Sequence, residues 1–266
     1  MTQYQTISIE HEEDVAVVYL NRPEIRNAFN EVMISELITA FGALGQDSGV
    51  RVILLKGKGK AFCAGADLNW MRAVSGYTYE QNYAESFNLS RCFYTIYTCP
   101  KPTIAVVHGA AIGGANGLLA ACDLAYADQE TVFSLSEVKI GIVPACISPY
   151  VIKRTGEARS RELMLTGKRF KGIDAARYGL VNETYASDKL DDAIAEVISM
   201  LRTSGPAAIS QCKVLIDEVS NQLTLEDALG YTAGMIAEIR ASEEGQEGMS
   251  AFLDKRLPNW VKPAKL

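Results

Sequence analysis

Three short segments of this 266-residue chain hold residues whose types and spacing could do chemistry. The first is Gly57-Lys58-Gly59-Lys60-Ala61-Phe62-Cys63-Ala64-Gly65-Ala66-Asp67-Leu68, where small residues follow a strand end and lead into a helix. Such a backbone can approach a ligand closely, and free N–H groups at a helix start are ready donors for an anion. The second, Ile112-Gly113-Gly114-Ala115-Asn116-Gly117, offers the same device again. Two loops of this kind could aim two amides at one carbonyl oxygen. Fixed donors facing an oxygen that gains negative charge are each worth on the order of 10²–10³ in rate. The third segment, Ser134 to Pro144, carries a lone acid, Glu137, in otherwise apolar surroundings. Burial raises a carboxylate's proton affinity toward working pH, which is what a proton shuttle needs. Each segment also has a plainer reading: a tight turn, close helix packing, or a glutamate paired with the nearby Lys139.

Other chemistries find less support. The Gly-x-Gly at Gly57 lacks the third glycine of a dinucleotide fingerprint, and no Gly-x-Ser-x-Gly elbow accompanies His108. His108 is therefore expected to be structural and His11, in an acidic turn, solvated. Cys63 and Cys146 have no neighbouring histidine to make a thiolate pair, so they read as pocket lining. No metal-ligand spacing occurs. Tyr77, Tyr79, Tyr83 and Phe87 approximate a helical stripe, expected to be core or the wall of an acyl pocket.

These residues need a scaffold, and composition bounds it. Apolar residues make up 48% of the chain, enough for a sizeable core without staples. The balance of 26 basic against 32 acidic residues gives a formal charge of −6, which argues against a broad nucleic-acid or anionic-membrane surface. The six cysteines form no C-x-x-C pair and read as free thiols, and the first ten residues lack the pattern of a signal or transit peptide. A cytoplasmic protein is the expectation.

Pattern and punctuation predict the elements. Thr6–Glu10 and Val15–Leu20 read as a hairpin; helical spacing from Asn30 closes near Gly45, taken as a C-cap. Arg51–Lys56 is a short strand, Tyr79–Tyr97 a long amphipathic helix, and Thr103–Val107 a buried strand leading straight into the second glycine loop. Ala115–Cys122 reads as a closely packed helix, with short strands around Leu124–Ala127 and Thr131–Ser134. Helical periodicity dominates beyond Thr155: Arg159–Leu165, Leu190–Thr203, Ala207–Val219 and Leu225–Ala241. The recurring strand, loop, helix order suggests a layered α/β fold with a helical tail whose apolar faces need a partner.

The order and wording of these segments resemble the enoyl-CoA hydratase/isomerase (crotonase) family from Ile7 through Trp260. The likeness includes Asn21-Arg22-Pro23-Glu24-Ile25-Arg26-Asn27-Ala28, Leu165-Thr166-Gly167 and Ala175-Ala176-Arg177-Tyr178-Gly179-Leu180-Val181. The resemblance implies an α/β fold with a β/β/α spiral core over residues 1–182 that carries the acyl-CoA site. A helical trimerisation region, residues 183–266, would follow, assembled as a homotrimer or a dimer of trimers. It implies an oxyanion hole from the backbone N–H groups of Ala66 and Gly114, with Glu137 exchanging a proton with the substrate α-carbon. It also implies substrate or CoA contacts from Arg26, Ala28, Ala64, Asp67, Leu68, Gly113, Asn116 and Gly117, with Phe252 and Lys255 reaching in from the tail.

One position departs from the pattern. Hydratases of the usual type carry a first catalytic Glu three residues past the oxyanion glycine, and Gly117 stands there. The stretch Phe133 to Val151 is most similar to bacterial methylglutaconyl-CoA hydratases. The expected activity is therefore water addition to a branched, methylglutaconyl-like enoyl-CoA, with Glu137 as general acid and base. Coenzyme A enters as part of the substrate, with no separate cofactor, metal, nucleic acid or membrane partner. A Δ3-Δ2 isomerase using the single carboxylate is the alternative. An RNA-binding module is the reading outside catalysis, and the acidic balance weighs against it.

Overall fold

The computed structural model describes residues 4–261. Six strands form one sheet in the order β1-β2-β3-β4-β6-β9 and three form a second, β5-β7-β8. In the first, β1 (Ile7–Glu12) and β2 (Val15–Leu20) make the expected antiparallel hairpin. After α1 (Glu31–Gln46), β3 (Val52–Gly57) lies parallel to β2. The helices α2 (Leu68–Val74) and α3 (Tyr79–Tyr97) precede β4 (Thr103–Val107), again parallel. β2, β3 and β4 are near-continuous apolar runs because central parallel strands are covered on both faces. The edge strand β1 turns its charged residues outward.

The chain then alternates between the sheets. β5 (Ala110–Ile112) belongs to the second sheet, α4 (Ala115–Ala121) crosses over, and β6 (Leu124–Asp128) returns to the first. β7 (Val132–Ser134) lies parallel to β5, followed by a 3₁₀ turn at Glu137–Ile140. Next come α5 (Ser148–Thr166), β8 (Arg169–Lys171), α6 (Gly172–Arg177) and β9 (Glu183–Tyr185), which pairs with β6 and carries the sheet past Asn182. α7 (Leu190–Thr203), α8 (Pro206–Asn221), α9 (Leu225–Ala241) and α10 (Glu243–Leu253) complete the described elements. Two compact units result, one running to Ala195 and the other beginning at Glu196.

Local chemistry explains several boundaries. Asn30 caps α1 by accepting from Met33 N (3.1 Å). Thr78 and Gln81 form a reciprocal capping box at the start of α3. Gly45 is not the cap of α1: the helix runs on to Gln46, and Gly45 sits in its last turn because a Cβ there would lie 3.1 Å from Pro100 Cδ. The aromatic stripe of α3 is not core. Tyr79, Tyr83 and Phe87 stack on one another and are 78%, 61% and 59% exposed, while Cys92, Phe93 and Ile96 are the residues α3 buries. In the second unit, the Glu244 carboxylate accepts from Ala207 N (2.9 Å) and Ala208 N (2.8 Å) at the head of α8. Among the described residues no helix is long and apolar enough to cross a membrane.

Candidate active site

The first glycine loop is clamped by the segment before α1. Asn27, buried and left-handed (φ 56°), accepts from Arg22 N and donates through Nδ2 to Lys58 O and Ala61 O, each at 2.8 Å. Arg22 donates to Ala28 O and pairs with Asp67, both at 2.7 Å. Asp67 caps α2 by accepting from Asn69 N (2.7 Å). Burial pushes the Asp67 carboxyl up, but the Asn69 amide and the Arg22 guanidinium outweigh it and hold its pKa below the usual value. His108 meets the same loop with Nε2 at 2.9 Å from Gly59 O.

Phe29 joins the two glycine loops. Its N–H donates to Gly65 O and its carbonyl accepts from Asp67 N, both at 2.9 Å, so Ala66 lies bridged against it. Its ring lies so close to Gly114 that a Cβ there would be 2.5 Å from Cζ. Cys63 pairs with Ala111 across the same seam, donating to Ala110 O (3.0 Å) and accepting from Ile112 N (3.2 Å). Gly65 needs its positive φ of 97°, and a side chain there would sit 2.9 Å from Ile112 O. Among the described residues, the N–H groups of Ala66 and Gly114 have no backbone acceptor, although Asp67 N, Gly113 N and Asn116 N around them do.

Glu137 closes the site from the second sheet. A Cβ on Gly113 (φ 55°) would lie 3.3 Å from Glu137 Oε1, so the carboxyl rests against the Gly113 α-carbon. Its other oxygen, Oε2, is buried without a hydrogen-bond partner among the described residues. Burial raises the Glu137 pKa, opposed only partly by a bond from its own backbone amide. Gly117 leaves no room for a second acid: a Cβ there would fall 2.4 Å from Ile147 Cγ2 and 2.8 Å from Phe93 Cζ. All seven residues of α4 are buried, including Asn116. The arrangement offers two free amides and, beside them, one carboxyl of raised proton affinity. Such a set can stabilise an enolate and move a proton at the carbon next to it.

The remaining sequence-derived positions divide between the units. Arg26 and Ala28 lie along the first loop, with Ala64 N donating to Arg26 O (2.9 Å); Arg26 and Leu68 are exposed, Ala28 buried. Phe252 and Lys255 belong to the second unit, where both are exposed. Phe29, Asn27, Phe93 and Ile147 shape the site but did not stand out in the sequence. Only the Asn-Arg-Pro-Glu segment hinted at the clamp around Asn27. Among the described residues no group of His, Cys, Asp or Glu is arranged to hold a metal ion.

Comparison with known proteins agrees with this layout. The family model described as enoyl-CoA hydratase/isomerase matches residues 10–263. The crystal structure of an enoyl-CoA hydratase from Shewanella pealeana superposes with a TM-score of 0.94 at 40% identity, covering 97% of each chain. A Δ(3,5)-Δ(2,4)-dienoyl-CoA isomerase of Arabidopsis thaliana is 31% identical over 98% of this chain and 99% of its own length. A crotonyl-CoA hydratase of Syntrophomonas wolfei is 30% identical over 97% of this chain and 98% of its own. A match that spans both glycine loops and the Glu137 segment leaves one conclusion: the chain is an enzyme with the crotonase fold and belongs to the enoyl-CoA hydratase/isomerase family.

Proposed function

We propose that the enzyme adds water to a branched, methylglutaconyl-like enoyl-CoA. The thioester oxygen accepts hydrogen bonds from Ala66 N and Gly114 N. As water oxygen bonds to the β-carbon, the C=C electrons shift toward the α-carbon and the carbonyl pair moves onto the thioester oxygen, while the water proton passes to the Glu137 carboxylate. The enolate then collapses, takes the proton from Glu137 at its α-carbon, and leaves the acid ionised for the next turn. Coenzyme A is the handle of the substrate, and no further cofactor takes part.

The observation that carries this reading is the filled space over Gly117. With no second carboxylate to activate water, one acid must serve both proton transfers. The wording of Phe133 to Val151 supports a methylglutaconyl-like acyl group. The same lone acid favours a second reading, Δ3-Δ2 isomerisation, in which Glu137 carries a proton between two carbons. We also propose a homotrimer or a dimer of trimers in the cytoplasm, supported by the apolar residues exposed on the helices of the second unit.

A turnover panel separates the readings. Hydration of 3-methylglutaconyl-CoA is expected to exceed that of crotonyl-CoA, and Glu137→Gln to lower kcat by about 10²–10⁴. Rapid double-bond migration in a 3-enoyl-CoA, with no water added to either substrate, would establish the isomerase instead.

A further inference from the structure

Asn116 is a fully buried polar side chain that the proton-transfer scheme leaves unused. Its Nδ2 donates to Gly113 O and Ser134 O, both at 2.9 Å, and reaches Ala111 O at 3.4 Å. Three surrounding carbonyls settle the orientation of the amide, since exchanging its N and O would set oxygen against oxygen. Oδ1 is therefore an acceptor, buried and without a partner among the described residues, as is Glu137 Oε2. The bonded carbonyls belong to the two segments whose spacing sets the chemistry. Gly113 bears the contact with the Glu137 carboxyl and precedes the Gly114 amide, and Ser134 ends β7 just before Glu137. Gly113 O accepts from both Asn116 N and Asn116 Nδ2, while Gly113 N donates to Ser134 O (2.8 Å).

We propose that Asn116 is a positioning residue for proton transfer: its side-chain amide locks the Gly113-Gly114 loop to the segment that carries Glu137. The inference rests on the roles given to Gly114 and Glu137 above and replaces the substrate contact expected of Asn116 with a role through the backbone carbonyls that its amide holds. A misplacement of about 1 Å between acid and enolate can cost about a hundredfold in rate. Asn116→Leu keeps the branching and heavy-atom count of the side chain at a larger volume, and both bridged carbonyls keep a backbone donor, Gly113 O from residue 116 N and Ser134 O from Gly113 N. The fold is expected to survive while the restraint that the Asn116 amide adds to the Gly113–Ser134 contact is lost.

The test reads proton transfer directly, as exchange of the α-protons of butanoyl-CoA in D₂O by NMR, beside hydration turnover. Asn116→Leu is expected to bind butanoyl-CoA within about threefold of wild type yet exchange its α-protons at least about tenfold more slowly. The pH midpoint of exchange is expected to move as well, because the surroundings of Glu137 change. In Asn116→Asp an ionised carboxylate would face carbonyl oxygens, so exchange is expected to recover toward wild type as acid protonates it. This second variant decides the matter if Asn116→Leu does not fold. Exchange in Asn116→Leu within threefold of wild type, with an unmoved midpoint, overturns the proposal, as does an Asn116→Asp variant whose loss is the same at every pH. A wild-type enzyme that exchanges α-protons but hydrates no enoyl-CoA contradicts the hydratase reading alone. Absence of exchange in wild type removes the enolate chemistry and this role with it.

Discussion

Glu137 works against the stability of the fold that holds it. Burial raises its pKa above the ordinary glutamate value of 4.5, so the folded chain binds that proton more tightly than the unfolded chain. Stability therefore falls as pH rises from the unfolded value through the raised folded one, and above that window the buried charge is a standing cost. Glu137→Gln removes the charge and keeps the shape. Scanning calorimetry is expected to show a higher Tm for the variant at pH 8, with the gap closing as pH falls to about 4, where the wild-type acid is also neutral. A variant melting at or below wild type at pH 8 would contradict the burial argument. Gly113 and Gly117 complete the residue scale: the one must stay small to admit the carboxyl, the other because Ile147 and Phe93 occupy its side-chain space.

Among the elements, α4 matters most, because the Gly114 amide stands at its head while its tail depends on one side chain. Arg154, on α5, donates from Nε to Ala120 O (3.1 Å) and from Nη2 to Cys122 O (2.7 Å) and Asp123 O (3.2 Å). Its Nη1 reaches Leu180 O (3.5 Å) and Asn182 Oδ1 (3.3 Å). These bonds satisfy carbonyls that a helix end leaves open and tie α4 to the segment before β9. Arg154→Met is expected to destabilise the enzyme by about 2–4 kcal/mol, since charged donors are lost and buried carbonyls left unpaired. Urea unfolding at neutral pH checks this, and a shift below about 0.5 kcal/mol would mean that the carbonyls find other donors.

For the whole molecule, the two units differ in how they are held. The first encloses the main core, from Ile7 on β1 to Val181 ahead of β9. The second buries little apolar surface: Leu225 is 89% exposed, Leu229 72% and Leu253 77%. It is held partly by polar contacts, notably Glu247, which pairs with Arg256 (2.7 Å) and accepts from Asn259 N (2.8 Å), drawing its pKa down to about 2. The proposed trimer would give the apolar side chains exposed on these helices their cover. Native mass spectrometry is expected to return three or six chains, and a single chain at micromolar concentration would remove the trimer from the proposal.

Much of this was legible in the chain itself. The hairpin, the ends of α3, α7 and α9, and the three segments that meet at the site follow from side-chain periodicity, capping residues and glycine, all of which act over a few neighbouring residues. β5, β8, β9, α6 and α10 escaped the reading, being short or, in α10, interrupted by Gly245 and Gly248 where a helical pattern was sought. The outward turn of the α3 aromatics escaped it too, since periodicity marks a stripe without saying which neighbour it faces. Only tertiary structure decided the character of the site. Ile147 and Phe93 close the space over Gly117, Phe29 joins the two glycine loops, and Asn116 spans Gly113 and Ser134. Apart from the bond between Asn116 and Gly113, those contacts join residues distant in the chain, and their geometry is set by how whole elements pack, which no local pattern records.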